Sequence, residues 1–292
     1  MKIAVTGAGG QLGSELCRQL GESAVALTRQ ALDVTDRRCI LDTLDSIRPD
    51  AVINAAAYTA VDQAESEPAL CREVNAEGVA HVVEACRRLH CPLVQVSTDY
   101  VFGRDAGRRV PYRETDAPGP LNFYGQTKLE GERHAQCWPK HFIVRTCGLY
   151  TRPLPGDGHH NFVRIMLQLA SRQQEIRVVD DQHCTPTFTA DLAQAIRHLL
   201  TTTRYGTYHV TNDGSTTWYN LAAEIFRLAR LTVSLQPIST SQYRTTARRP
   251  TYSVLDTAKY HHLNAPPLPS WQQALATCLA NLDLSTLIAE SP

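Results

Sequence analysis

Short apolar segments alternate with longer segments of helical period along the first 150 residues. Segments rich in Val and Ile that are apolar at consecutive positions are typical of strands buried on both faces, as in a parallel sheet. Helical crossovers between such strands cover both faces of the sheet. The pattern therefore predicts an α/β fold with a doubly wound parallel sheet. The predicted strands lie at 2–7, 23–28, 50–57, 92–98 and 141–150.

The alternation becomes less regular after about residue 150. A loop is predicted at 153–160 and a helix at 161–172, followed by shorter segments that include GTYHVTN at 206–212 and a Pro-rich tail. We interpret this half as a smaller C-terminal lobe that completes a cleft beside the sheet.

The first predicted strand runs into a glycine-rich turn, TGAGGQLGSEL at 6–16. Glycines at G-x-x-G-x-x-G spacing let the backbone turn sharply and approach a pyrophosphate, which the N-terminus of the next helix attracts. The turn predicts a Rossmann dinucleotide-binding domain at 1–150, joined by about 188–205, with 151–292 mainly a substrate-binding lobe. A tight turn that binds nothing is the alternative. The predicted dinucleotide contacts are Gly7, Gly10, Gln11, Leu12 and Gly13.

The end of the second predicted strand bears on the choice of nicotinamide cofactor. An enzyme selective for NAD usually has a carboxylate there for the ribose 2′-hydroxyl, whereas this chain has Thr28 and Arg29. Arg29 either meets the 2′-phosphate of NADP or is a solvated loop residue. Asp33 and Val34 are expected to border the adenine. NADPH is therefore the predicted cofactor, with NADH as the alternative.

The segment PLNFYGQTKLEGE at 120–132 is predicted to begin a helix, yet it contains Gly125 and Gly131. Each glycine inside a helix costs about 1 kcal/mol relative to alanine, so another requirement must favour them. Tyr124 and Lys128 lie on one face of this helix, and an ammonium beside a phenol lowers the pKa of the phenol. The pair predicts a tyrosine that exchanges a proton with a substrate, with a surface pair as the alternative. We expect Gly125 to leave room beside the phenol.

A strand end rich in hydroxyl groups lies upstream of this helix. Ser97, Thr98 and Asp99 fall at the end of the strand predicted at 92–98, the edge where ligands bind in doubly wound sheets. A hydroxyl there is suited to hydrogen-bond a carbonyl oxygen that a tyrosine protonates. These residues together predict a site that binds and protonates a substrate carbonyl oxygen.

The set of Thr98, Tyr124 and Lys128 resembles the extended short-chain dehydrogenase/reductase family, in which a Ser or Thr, a Tyr and a Lys are catalytic. Over residues 1–210 the chain is similar to reductases of nucleotide-activated sugars within that family. The resemblance implies reduction of the C4 keto group of dTDP-4-dehydro-L-rhamnose to dTDP-L-rhamnose by NADPH or NADH. The motifs that carry it are NAAAYTAVDQAESEP at 54–68, STDYVFG at 97–103, ETDAPGPLNFYGQTKLEGE at 114–132, RTCGLY at 145–150 and DQHCTPT at 181–187.

The resemblance also implies which residues contact the ligands. The dinucleotide is expected to contact Asn54, Ala55, Ala56, Ala57, Tyr58, Ser97, Tyr124 and Lys128. The dTDP-sugar is expected to contact Asp99, Tyr100, Cys147, Gly148, Thr185, Pro186 and Thr187.

Other positions also take an interpretation from the resemblance. The family often has Trp at the place of Gly148, so this chain lacks that aromatic surface, and often Gly at the place of Cys184. Asn75 is expected to help organise the active site. Some members bind Mg²⁺ through carboxylates at a dimer interface, for which Glu15 is a candidate, but we interpret Glu15 as a solvated helix residue and predict no metal site. Arg145 is placed to meet either a phosphate or a carboxylate.

Composition and charge narrow the classes of partner. Lys and Arg total 29, as do Asp and Glu, so a formal net charge of zero offers no basic field for nucleic acid or an anionic membrane. Nine cysteines include no C-x-x-C pair, and we interpret them as reduced thiols. No apolar run suits a membrane span or a signal peptide. We expect a cytoplasmic monomer or homodimer with no nucleic-acid or membrane partner.

Two other functions stay open at this stage. A sugar-nucleotide 4,6-dehydratase has Thr-Asp-Glu where this chain has Thr98, Asp99 and Tyr100. A non-catalytic regulatory subunit, such as the β subunit of methionine adenosyltransferase, retains the fold and the cofactor. Turnover of a nucleotide sugar would distinguish a reductase from both.

Overall fold

A computed structural model describes residues 1–153, 159–172 and 174–280 of the chain. Its centre is a six-stranded sheet in the order β10-β5-β4-β3-β1-β2, in which every adjacent pair is parallel. This order confirms the predicted doubly wound sheet. The sheet strands are β1 (Ile3–Thr6), β2 (Ala24–Leu27), β3 (Ala51–Asn54), β4 (Leu93–Thr98), β5 (His141–Thr146) and β10 (Gly206–His209).

Helices cover both faces of this sheet, as its doubly apolar strands require. On one face α1 (Gln11–Leu20) and α7 (Thr189–Leu200) bury leucine and isoleucine side chains against β1, β3 and β5. On the other, α2 (Arg37–Ile47) and α4 (Gly78–Leu89) do the same, and α5 (Phe123–Gln136) packs beside α4. The sheet is therefore buried, and its carboxyl edge is left as the place for a ligand.

A third apolar core holds the smaller C-terminal part together. Its helices are α6 (Phe162–Ala170), α8 (Trp218–Ala229) and α10 (Trp271–Leu279). Short pairs of strands border it: β6 (Leu149–Tyr150) with β9 (Thr187–Phe188), β7 (Glu175–Val179) with β12 (Ser234–Ile238), and β8 (His183–Cys184) with β11 (Thr216–Thr217). The other α-helices of the described residues are the short helices α3 (Pro68–Arg72) and α9 (Ala258–His261).

Two features of the second half differ from the sequence pattern. The strand predicted at 141–150 ends at Thr146, because Gly148 has a φ of 52° and turns the chain out of the sheet before β6 begins. The segment 206–212, predicted within the smaller lobe, returns to the main sheet as β10. The predicted loop at 153–160 and the end of the tail fall partly outside the described residues.

No helix in the described ranges is long and apolar enough to cross a membrane.

Candidate active site

A cleft of about 510 Å³ lies at the carboxyl ends of the sheet strands, and a smaller one of about 270 Å³ lies beside it. The larger cleft extends from the glycine-rich turn, past Tyr124 and Lys128, to the second lobe. The smaller is bordered by the end of β2 and the loop after β3. The predicted site residues that line one or both clefts are Gly7, Gly10, Gln11, Leu12, Gly13, Arg29, Asp33, Val34, Ala55, Ala56, Ala57, Tyr58, Ser97, Thr98, Asp99, Tyr100, Tyr124, Lys128, Cys147 and Gly148.

Four predicted contact residues line neither cleft. Asn54 is buried in the sheet, where its amide oxygen accepts a hydrogen bond from Thr6 at 2.5 Å and its amide nitrogen donates to Gln95 at 2.7 Å. Thr185 and Thr187 are also buried, and both hydroxyls donate to backbone carbonyls, Thr185 to Gly214 at 2.7 Å. Pro186 lies behind Gly148. The structure thus assigns these residues to support the cleft wall.

The glycine-rich turn is built by close approach of its own backbone. A Cβ atom on Gly13 would lie 2.1 Å from the Gly7 carbonyl oxygen, and one on Gly7 would lie 2.6 Å from the Ala56 nitrogen. Gly10 caps α1 without any side-chain hydrogen bond, so the first amides of the helix face the cleft without a side-chain acceptor. This is the geometry that suits a pyrophosphate.

Gln11 connects the turn to the second lobe. Its amide nitrogen donates to the His160 carbonyl at 3.3 Å, and its amide oxygen accepts from Asn161 at 3.0 Å. Asn161 is the N-cap of α6, where its side-chain oxygen accepts from the Arg164 amide. Gln11 therefore joins the two sides of the larger cleft.

Arg29 stands at the rim of the smaller cleft. Its side chain is 78% exposed and its Nε lies 3.5 Å from Asp33 Oδ2. Asp33 also accepts hydrogen bonds from the amide and hydroxyl of Thr35. The guanidinium is therefore held only by a surface ion pair, which is worth about 0–1 kcal/mol and leaves it available to an anion.

Tyr124 and Lys128 face the larger cleft from α5, close to Thr98. Burial lowers the pKa of Lys128 to about 8, although Glu132 opposes the shift, and Nζ donates to the Val96 carbonyl at 2.7 Å. Burial raises the pKa of the Tyr124 hydroxyl, and a hydrogen bond with Thr98 partly offsets this. The Tyr124 pKa is therefore raised overall, against the expectation of a lowered value, because burial is the largest influence. A tyrosine with a raised pKa remains protonated at neutral pH, as a proton donor must.

The two glycines of α5 serve backbone packing. A Cβ atom on Gly125 would lie 2.2 Å from the Tyr100 carbonyl oxygen, and one on Gly131 would lie 2.2 Å from the Asn75 carbonyl oxygen. The room expected beside the Tyr124 phenol is instead occupied by the backbone that follows β4. Close approach of α5 to that strand end is what brings Tyr124 beside Thr98.

Asn75 organises the loop that borders both clefts. It lies within a single π-helical turn, Glu73–Glu77, and its side chain accepts from the Tyr58 amide at 2.9 Å and donates to the Tyr58 carbonyl at 3.1 Å. Tyr58 in turn donates its hydroxyl to Glu67 at 2.7 Å. The expected organising role agrees with these contacts.

Behind the catalytic strand end lies a buried ion pair. Arg145 donates to both carboxylate oxygens of Glu132, at 2.8 and 2.7 Å, so the alternative left open for Arg145 is decided in favour of a carboxylate. The Ser97 hydroxyl also donates to Glu132, at 2.6 Å. Ser97 therefore directs its hydroxyl proton away from the cleft.

Asp99 is a carboxyl group buried at the wall of the larger cleft. Its Oδ1 accepts from the Thr98 hydroxyl at 3.1 Å, whereas Oδ2 has no hydrogen-bond partner among the described residues. Burial raises its pKa from 3.8 to about 6, although Ser253, Cys147 and Thr98 lie near enough to lower it in part. Keeping this group ionised at neutral pH costs the folded state free energy.

Asp99→Asn is expected to raise the free energy of unfolding by up to about 3 kcal/mol above pH 6, because the variant has no buried charge to maintain. Below the unfolded pKa near 3.8 the acid is neutral in both states, so the gain vanishes there, grows between about pH 4 and pH 6, and is constant above the folded pKa of about 6. Urea unfolding of both proteins from pH 4 to pH 8 measures the difference. A difference that does not vary with pH would contradict the burial of a charge at Asp99.

Trp218 and Arg249 were not singled out by the sequence. Trp218 lines the larger cleft from the first residue of α8. Arg249 donates to Asp62 at 2.7 Å and lies close to Tyr100. Burial and, after it, Asp99 raise the pKa of Tyr100, and Arg249 offsets part of that rise. Arg249 lines neither cleft, but it lies beside Tyr100, which lines the larger one. The basic pair Arg248 and Arg249 was the available signal, but it resembles any solvated loop.

No group of three His, Cys, Asp or Glu side chains within the described part of the chain is arranged to hold a metal ion. Glu15, the candidate for a magnesium ligand, accepts hydrogen bonds from Arg18 and Gln19.

Comparison with known proteins assigns the chain to a family. The model of the family described as the RmlD substrate binding domain matches residues 1–284. A dTDP-4-dehydrorhamnose reductase from Streptomyces griseus is 44% identical over 282 residues, which cover 93% of this chain and 90% of the relative. The chain belongs to the dTDP-4-dehydrorhamnose reductase family.

Two further members of the dTDP-4-dehydrorhamnose reductase family support this assignment. The enzyme from Escherichia coli is 38% identical over 306 residues, 99% of this chain and 100% of the relative. A crystal structure of the Bacillus anthracis reductase in complex with NADP matches with a TM-score of 0.91 and 38% identity, over 97% of this chain and 100% of that chain. Family membership agrees with the narrower group of sugar-nucleotide reductases that the motifs indicated.

Proposed function

We propose that this chain reduces the C4 keto group of dTDP-4-dehydro-L-rhamnose to give dTDP-L-rhamnose, with NADPH as the cofactor. The observation that carries the proposal is the convergence of Thr98, Tyr124 and Lys128 in one cleft between the glycine-rich turn and the second lobe. The names of the relatives and the NADP bound to the Bacillus anthracis enzyme support the substrate and the cofactor.

The residues present fit a nicotinamide dinucleotide. The uncapped amides at the start of α1 would hold the pyrophosphate, and the smaller cleft between Arg29, Val34 and Tyr58 would take the adenosine end. Lys128 would hold the nicotinamide ribose. When bound, the cofactor supplies the hydride that is added to the carbonyl carbon.

The remaining chemistry belongs to the chain. The Tyr124 hydroxyl, which is protonated at neutral pH, donates a proton to the carbonyl oxygen as negative charge develops on that oxygen. Thr98 would hydrogen-bond the same oxygen by turning its hydroxyl proton from Asp99 Oδ1 to the carbonyl, and so would hold the carbonyl beside Tyr124.

The decisive experiment supplies two substrates separately. With dTDP-4-dehydro-L-rhamnose, generated in place by the preceding dehydratase and epimerase, the purified protein should consume NADPH and form dTDP-L-rhamnose. With dTDP-glucose alone it should form no 4-keto-6-deoxy product, because Tyr100 occupies the position of the glutamate needed for elimination. No reaction in either mixture, despite NADPH binding, would favour a regulatory subunit or a reductase of a different 4-keto sugar admitted by Gly148.

Cofactor preference tests the interpretation of Arg29. The wild type should use NADPH at least as well as NADH, and Arg29→Asp should shift the ratio of kcat/KM values toward NADH by about tenfold, since it removes an attraction for the 2′-phosphate and adds a repulsion. Arg38→Asp, on the exposed face of α2, is the control. A wild type that strongly prefers NADH would show that Arg29 is a solvated bystander.

We also infer how the chain is organised and where it acts. Residues 1–150, joined by about 188–205 and by β10, form the dinucleotide-binding unit, and most of the remainder forms the substrate-binding lobe. The packing of α7 against the main sheet and the pairing of β10 with β5 support this division. We place the enzyme in the cytoplasm as a monomer or homodimer, without nucleic-acid or membrane partners. The neutral net charge and nine free cysteines support this placement.

A further inference from the structure

The wall of the larger cleft opposite the sheet includes a single tryptophan, Trp218, contributed by the second lobe. Its indole is partly exposed, and it lies in the same cleft as Tyr124 and Thr98. Large aromatic side chains that line a ligand pocket usually provide much of its apolar contact area. Trp218 therefore offers an apolar surface to a ligand group bound in this cleft.

Two neighbours position Trp218, one by packing on its ring and one by fixing the start of its helix. Phe162, the first residue of α6, packs against it with ring centroids 4.9 Å apart and planes inclined by 50°. Thr217, the N-cap of α8, accepts from the Asn220 amide and donates its hydroxyl to Asp180 at 2.5 Å, which fixes the start of the helix. The ring is therefore positioned before any ligand arrives, and little conformational entropy is lost on binding.

Gly148 makes room for this ring from the sheet side. A Cβ atom on Gly148 would lie 3.3 Å from Trp218 Cη2 and 3.3 Å from the Pro186 Cα, which is tighter than ordinary van der Waals contact. The backbone at Gly148 also has a φ of 52°, which disfavours any other residue. The aromatic surface that position 148 does not provide is thus present beside it, from a residue 70 positions further along the chain.

We propose that Trp218 is the specificity-determining residue for the sugar, and that its indole packs against the C5–C6 edge of a 6-deoxy sugar, where the substrate carries a methyl group. The inference rests on the proposed function. A methyl group gains from burial against an indole, whereas a hydroxymethyl group would lose part of the hydration of its hydroxyl against that apolar surface. The sugar is assigned to Trp218 because every predicted dinucleotide contact lies in residues 1–128, whereas α8 belongs to the second lobe.

The test separates the sugar from the rest of the nucleotide by comparing the Kd of dTDP-L-rhamnose with the Kd of dTDP. The wild type should bind dTDP-L-rhamnose more tightly than dTDP. Trp218→Ala should weaken dTDP-L-rhamnose about tenfold while changing the Kd values of dTDP and NADPH by less than about twofold. Trp218→Phe should lose less, because an aromatic face remains.

Stability is measured in parallel, since Trp218 also packs on the third apolar core, that of the second lobe. Tyr219→Ala is the matched control: it removes a neighbouring half-buried ring of α8 that does not line the cleft, so it should lower the Tm and leave both nucleotide affinities unchanged. Equal weakening of dTDP and dTDP-L-rhamnose by Trp218→Ala, or a weakened NADPH, would overturn the assignment to the sugar. Failure of the wild type to bind either dTDP ligand would overturn both this inference and the proposed function.

Discussion

Tyr124→Phe is expected to lower kcat by about 10²–10⁴-fold, because it removes the proton donor and leaves the aromatic ring in place. The phenol lines the larger cleft with Thr98 and is protonated at neutral pH, as a proton donor to a carbonyl oxygen must be. The Kd of NADPH should stay within about twofold of the wild-type value, since the ring and Lys128 remain. Steady-state turnover and fluorescence titration of NADPH measure the two quantities.

Tyr112→Phe is the matched control, because it makes the same chemical change at a buried tyrosine outside both clefts. Its hydroxyl has no hydrogen-bond partner in the described part of the chain, and its ring stacks on Phe102 at 4.2 Å. Turnover should be unchanged in this variant.

Lys128→Met, unlike Tyr124→Phe, should weaken both turnover and NADPH binding. Wild-type turnover by Tyr124→Phe would refute the proposed mechanism.

Gly125→Ala is expected to be strongly harmful, against the ordinary helix preference. Alanine in a helix interior normally gains about 1 kcal/mol over glycine, but here the new Cβ would lie 2.2 Å from the Tyr100 carbonyl oxygen. Because that neighbour is backbone, α5 must move, at a cost of roughly 1–3 kcal/mol. A shift of about 1 Å in Tyr124 would lower kcat by about 10²-fold.

Urea unfolding and kcat measurements test this expectation together. Gln126→Ala, at the next and exposed position of α5, is the control, since it loses only a surface hydrogen bond to Glu130 at 3.3 Å. Its stability should change by less than about 0.5 kcal/mol and its turnover should not change. A Gly125→Ala protein that is more stable than the wild type and fully active would show that α5 tolerates a side chain there.

Short-range patterns in the sequence were sufficient for five of the six sheet strands and for the central residues of the cleft. Consecutive apolar positions predict buried parallel strands, and the spacing of Gly7, Gly10 and Gly13 after β1 predicts the turn, because backbone geometry relates such neighbours directly. The four-residue separation of Tyr124 and Lys128 places both on one face of α5 for the same reason. The structure brings these residues into one cleft, and their catalytic roles stay predictions.

Contacts between distant parts of the chain were decided only by the tertiary structure. Arg145 meets Glu132 instead of a phosphate, and Asn54 is held within the sheet, because neighbouring strands and helices provide their partners. Trp218 enters the cleft from the third apolar core, which the pattern of the first 150 residues does not describe. The sequence alone determined periodic structure and local spacing, since both arise from covalent neighbours. Which side chains meet across the cleft depended on packing between elements far apart in the chain.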